Sequence, residues 1–84
     1  MKSEAIGYIL NMAMYEEAKR HPKMRIEVYA AGQCYTLVPS LRGKKLNTFN
    51  ILGKDNILQL WTNDAMMAFI DCDCVTSIEV KGVI

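Results

Sequence analysis

From Ala5 to Tyr15 the chain reads Ala-Ile-Gly-Tyr-Ile-Leu-Asn-Met-Ala-Met-Tyr. At about 100° per residue these side chains cover most of a helix circumference, leaving a sector of about 100° to Gly7 and Asn11. One face of a helix cannot hold them all. The stripe Ile6, Ile9, Leu10 and Ala13 suits a helix laid on the chain's own sheet, which leaves Tyr8, Met12 and Tyr15 facing outward for a partner. Ser3 is placed to cap the helix and Glu4 complements the dipole in its first turn. Lys19, Arg20 and His21 occupy the last turn before Pro22, so the pattern predicts a helix over 3–20.

The period then changes. Met24, Ile26, Val28 and Ala30 alternate with Arg25, Glu27 and Tyr29, the period-2 pattern of a strand with one buried and one solvated face. Ala31-Gly32-Gln33 reads as a turn and Cys34 to Val38 as the returning strand, stopped by Pro39. Ser40 to Lys45 is a loop by composition. Asn47 to Leu52 reopens a strand, Gly53-Lys54-Asp55-Asn56 turns it, and Ile57 to Trp61 returns. On that strand Trp61, Ile57 and Gln59 share the face opposite Leu58 and Leu60, so Trp61 is expected to point away from the core. Asn63-Asp64 suits a tight turn before Ala65 to Asp71, and Cys74 to Val80 closes the series. One helix and five or six short strands joined by tight turns predict an α+β domain, with the helix packed on a small antiparallel sheet and 1–84 forming a single domain.

At 84 residues such a domain buries only about 60–65% of the surface its unfolded chain exposes, and association with other copies is the usual remedy. A formal charge of +1 sets up no long-range field, so any electrostatic recognition has to come from local clusters. Three cysteines, an odd number without disulfide-like density, point to a reducing compartment and hence the cytoplasm. The apolar start is too weakly flanked for a secretion signal and far shorter than the ~18–20 apolar residues of a membrane span, so no membrane partner is expected.

The element order resembles that of Sm-like proteins, which place an N-terminal helix before a strongly bent five-stranded barrel and assemble into rings by pairing edge strands. Leu46-Asn47-Thr48-Phe49-Asn50 is a loose echo of their motif. The resemblance implies a bent barrel as the alternative fold, and no RNA-binding residue is carried over from it.

Two basic clusters stand out. Lys19, Arg20, His21, Lys23 and Arg25 crowd one short segment, and Arg42, Lys44, Lys45 and Lys54 occupy two loops. Lys19, Arg20, Lys23, Arg42, Lys44 and Lys45 are the candidate residues for holding phosphate or another anion, with Tyr35, Phe49 or Trp61 available to stack on rings. The plainer reading is that basic groups at a helix C-terminus complement its dipole and loop lysines discourage edge-to-edge pairing. Cys72 and Cys74, two apart on a predicted strand, would share a face and reach one soft metal ion. Completing a tetrahedral site would need Cys34 and His21, which have no supporting spacing. Their plainer reading is core continuing the face of Met66, Ala68 and Ile70. With one histidine and no phosphate-binding loop, nucleophile elbow or dinucleotide fingerprint, no catalytic set, metal site or cofactor is expected. The sequence thus favours a non-enzymatic homo-oligomeric binding or adaptor protein. Tyr8, Met12, Tyr15 and Trp61 would form its interface, and a basic face or inter-subunit pocket would hold an anionic small molecule. An RNA- or DNA-binding β-domain and a small Cys-based metal protein are the alternatives.

Overall fold

The computed structural model describes residues 1–21, 23–39, 48–62 and 66–82, with the side chains of all of these but 17, 18, 66 and 67. The chain opens with α1 (Ser3–Asn11), continues through a π-helical stretch Met12–Glu17 and ends in one α-turn, α2 (Ala18–Arg20). The helix therefore runs over the expected span, with a wider turn inside it. Each π-turn takes more residues than an α-turn, and in this stretch Met14 as well as Ala13 reaches the core. Ser3 is the first helical residue and not the cap. Lys2 takes the cap position in extended conformation without a side-chain bond, and its carbonyl accepts from the Ile6 amide. The entry is fixed instead by the Met1 ammonium, which donates to the carbonyls of Cys72 and Val75 at 3.0 Å each.

Six strands follow: β1 (Arg25–Ala30), β2 (Gln33–Leu37), β3 (Thr48–Leu52), β4 (Ile57–Trp61), β5 (Met66–Asp71) and β6 (Val75–Lys81). They are antiparallel and form two three-stranded sheets, β2-β1-β6 and β3-β4-β5. The α+β class is as expected, but the strands are divided between two sheets because β6 returns to β1 and does not extend the meander. The two sheets are not closed into a barrel, so the Sm-like alternative is not the architecture formed.

Local chemistry accounts for the turns. Ala31 and Gly32 both have positive φ, the two-residue primed turn whose twist matches its flanking strands. At Gly53–Asn56 the left-handed residue is Asn56, a type that tolerates that conformation. Thr76 is the extra residue of a bulge in β6, and its hydroxyl donates to the Tyr29 carbonyl at 3.2 Å. The Asn63-Asp64 turn and the Ser40 to Lys45 loop lie outside the described residues.

The inner faces meet in one core: Ile6, Leu10, Ala13 and Met14 from the helix, Met24 just before β1, Ile26, Val28, Ala30, Leu37 and Val75 from the first sheet, Leu58, Leu60 and Ile70 from the second, and Cys72 after β5. Phe49, Ile51, Ala68 and Ile78 pack against it, half-buried. At Gly7 the helix comes close to β3: a Cβ there would stand 3.2 Å from Ile51 Cδ1.

β5 ends at Asp71 as expected, but the residues after it do not continue as strand. Cys72–Cys74 is a 3₁₀ turn, not the start of a strand. Its cause is Asp71, whose Oδ1 accepts from the Asp73 amide at 2.9 Å and caps the turn.

Candidate functional site

Three surfaces carry the residues that the sequence singles out. The first is the outer side of the helix. Tyr8 is 69% exposed, Met12 43% and Tyr15 53%, while Ile6 and Leu10 on the other side are fully buried. The helix thus divides its apolar residues as the pattern predicts, and among the described residues none covers the outward stripe.

The second surface is the basic junction. Lys19, Arg20, Lys23 and Arg25 are all exposed where the helix passes into β1. Arg42, Lys44 and Lys45 lie outside the described residues. Lys54 is exposed in the β3–β4 turn beside exposed Asp55, which offsets its charge locally.

The third is the outer face of the β3-β4-β5 sheet. Thr48 stands opposite Trp61, Asn50 opposite Gln59, and Leu52 opposite Ile57. Across the other edge of β4, Phe69 stands opposite Gln59 and Asp71 opposite Ile57. Directly paired residues of an antiparallel ladder share a face, so all of these line the side away from Leu58 and Leu60. Phe69 is 60% exposed, and Ile57 and Trp61 are half-buried. Gln59 is only 9% exposed although it belongs to an outward face. Its Oε1 accepts from Asn50 Nδ2 at 3.1 Å and from Trp61 Nε1 at 3.4 Å. Trp61 therefore stands away from the core as expected, but not with the helix stripe: α1 packs on the inner face of this sheet, where Gly7 meets Ile51.

Sequence reasoning did not single out Phe69. The signal was present, since an inward Ala68, Ile70 and Cys72 turns Phe69 outward by alternation. Two other expected stacking residues are unavailable. Phe49 packs against the core, and Tyr35 does likewise while its hydroxyl donates to Gln33 Oε1 at 2.9 Å.

The outer face of the β2-β1-β6 sheet is polar. Lys81 Nζ lies 3.0 Å from Glu79 and 3.9 Å from Glu27. Tyr29 Oη donates to Glu27 at 3.4 Å, and Cys34 Sγ lies 3.8 Å from the same carboxylate. The Tyr29 hydroxyl is pushed up to about 12, first by loss of water contact and then by Cys34 and the charges of Glu27 and Glu79. The Lys81 ammonium is raised chiefly by its bond to Glu79.

The shared face expected of the two thiols, whether as core or as metal ligands, is corrected by the 3₁₀ turn. Its three residues per turn send Cys72 and Cys74 to different sides, leaving the first buried and the second exposed. Burial, then the Asp71 charge, pushes the Cys72 thiol up. Among the described residues no group of three His, Cys, Asp or Glu side chains is placed to hold a metal ion. No helix among them is long and apolar enough to cross a membrane. No protein-family profile, curated protein or solved structure matches the chain.

Proposed function

We propose that the chain is a small non-enzymatic binding or adaptor protein of the cytoplasm that acts as a homo-oligomer, assembling through the outward helix stripe. The supporting observation is the exposure of Tyr8, Met12 and Tyr15 on a helix whose opposite side is fully committed to the core. Tyrosine and methionine are enriched where a partner excludes water, and the unbranched thioether adapts to the surface it meets. With each tyrosine able to bury about 150–250 Å², the three residues contribute a few hundred Å² per protomer. That is below the ~800 Å² per partner of a standard interface, so the association is reversible. Lys19, Arg20 and Lys23, exposed beside the helix end, offer an anionic ligand its first contacts.

Light scattering across a concentration series tests the assembly. The expected mass exceeds the 9.5 kDa of one chain and falls to it in Tyr8→Glu and in Met12→Glu, each of which places a charge in the stripe without touching the core. A wild-type mass of one chain at every concentration, or an unchanged oligomer in both variants, would refute it.

A further inference from the structure

The outer face of the β3-β4-β5 sheet has an organisation that a merely solvated surface does not need. Trp61 is the only tryptophan of the chain, and its indole is held across this face by the Gln59 side chain, which Asn50 fixes from the next strand. Because an indole nitrogen only donates, the Gln59 oxygen must face Trp61 and its Nε2 must point elsewhere. That Nε2 has no acceptor among the described residues, although the side chain is nine-tenths buried. A buried donor left without an acceptor costs about 1–3 kcal/mol, an amount that an incoming carbonyl would recover. Phe69 flanks the same glutamine from β5 and is the most exposed large apolar side chain among those described in the sheet.

Size and charge narrow the occupant. Three strands about 4.8 Å apart and five residues long at about 3.3 Å each outline a face of about 14 by 16 Å. That outline is less than a third of the ~800 Å² per partner that a stable dimer needs, so this face alone does not hold a stable dimer together. Its one acid among the described residues, Asp71, is at the far corner and is engaged in capping the 3₁₀ turn. Among the described residues, no acid stands beside Trp61 or Phe69 on this face to repel a phosphate.

We propose that this face is a stacking platform for the unpaired bases of a single-stranded nucleic acid, with Phe69 and Trp61 as its ring surfaces and Gln59 Nε2 donating to a base carbonyl. Stacking on protein aromatics is worth about 1–3 kcal/mol per base and requires the bases to be free of a duplex. A carbonyl acceptor favours uracil or thymine, which present two. The platform is separate from the helix stripe, so it stands or falls independently of the assembly proposed above.

The test is the fluorescence of Trp61, which reports on this face alone, titrated with a short oligouridylate and, in parallel, with a duplex of equal length at low salt. Saturable quenching by the single strand, with little by the duplex, is expected. Phe69→Leu keeps the apolar volume of an exposed position but removes the planar ring, and it should weaken binding by about 5- to 150-fold, the equivalent of one stacked base. Circular dichroism verifies that the variant is folded. The proposal is overturned by absence of saturable quenching up to about 100 µM, the weak end of non-specific affinity, or by equal response to the duplex. It is overturned equally by undiminished binding in Phe69→Leu, which would mark a purely apolar contact such as a peptide. A Trp61 signal that changes with protein concentration in the absence of oligonucleotide would assign the face to a second copy and overturn it as well.

Discussion

Cys72 and Cys74 are separated by one residue, yet the 3₁₀ corner puts one thiol in the core and the other in water, so thiol chemistry reads the corner directly. With an aromatic disulfide reagent that releases a coloured thiolate, Cys34 and Cys74 should react in a fast phase, and Cys72 only when the corner opens. A domain of 84 residues has a stability of about 0.05–0.15 kcal/mol per residue, roughly 4–12 kcal/mol in all. If exposing Cys72 requires even the lower end of that range, its reactive state is populated at about one part in a thousand. Cys72 should then react roughly a thousandfold more slowly than Cys74. Urea should accelerate the slow phase alone. In the same way Cys72→Ser should lower stability by about 1–3 kcal/mol, since it leaves a hydroxyl in an apolar site, while Cys74→Ser should stay within about 0.5 kcal/mol of wild type. A single rate for both thiols, or equal effects of the two substitutions, would show that the corner is not built as described.

Val28 is fully buried at the middle of β1, opposite Tyr35 and Ile78. Val28→Asp forfeits about 1.5–3 kcal/mol of burial and adds an unpaired carboxylate, so the far-ultraviolet spectrum at neutral pH should be that of an unfolded chain and recover in part on acidification. A cooperative melt close to wild type at neutral pH would refute the placement. Gly7→Ala should stabilise by up to about 1 kcal/mol through helix propensity, because the close neighbour among the described residues is the movable end of Ile51. Gly82→Ala should destabilise by about 1–2 kcal/mol, since Gly82 has φ of +74° and a Cβ there would stand 3.0 Å from the Lys23 carbonyl oxygen; denaturant midpoints that move in the same direction for both would contradict this. The raised pKa of Tyr29 means that the folded chain holds this proton more tightly than the unfolded chain does. The resulting stabilisation is complete below about pH 10 and is lost as pH climbs to about 12. The tyrosinate absorbance difference between wild type and Tyr29→Phe should rise near the upper value, and a rise near 10 would disprove the environment described.

The helix and most strands were legible because their signals are local: apolar spacing over Ile6 to Ala13, alternation over Met24 to Ala30, and turn residues at Ala31-Gly32 and Gly53–Asn56. The division into two sheets was not, since the pairing of β1 with β6 depends on residues far apart in sequence and leaves no periodicity to read. The corner at Cys72 was misread as strand because alternation was extended past Asp71, whose carboxylate captures the Asp73 amide and ends the strand. The outward position of Trp61 was visible in the alternation of β4. That Gln59 ties it down was not, because the bond depends on Asn50 being brought alongside from another strand.

The pairing of β1 with β6 joins residues 45 to 56 positions apart, from Ala30 with Val75 to Arg25 with Lys81. The β1–β2 hairpin, closed by a two-residue turn, is able to form within microseconds, but its second edge stays bare until the far strand arrives. During synthesis at about 5–20 residues per second, that interval lasts roughly two to eleven seconds for each new chain. Throughout it, Ile26, Val28 and Ala30 line a half-finished sheet whose open backbone invites whatever strand comes first. How often the chain reaches its own structure is therefore decided in the wait between making β1 and making β6, and slowing translation after β2 should raise the aggregated fraction.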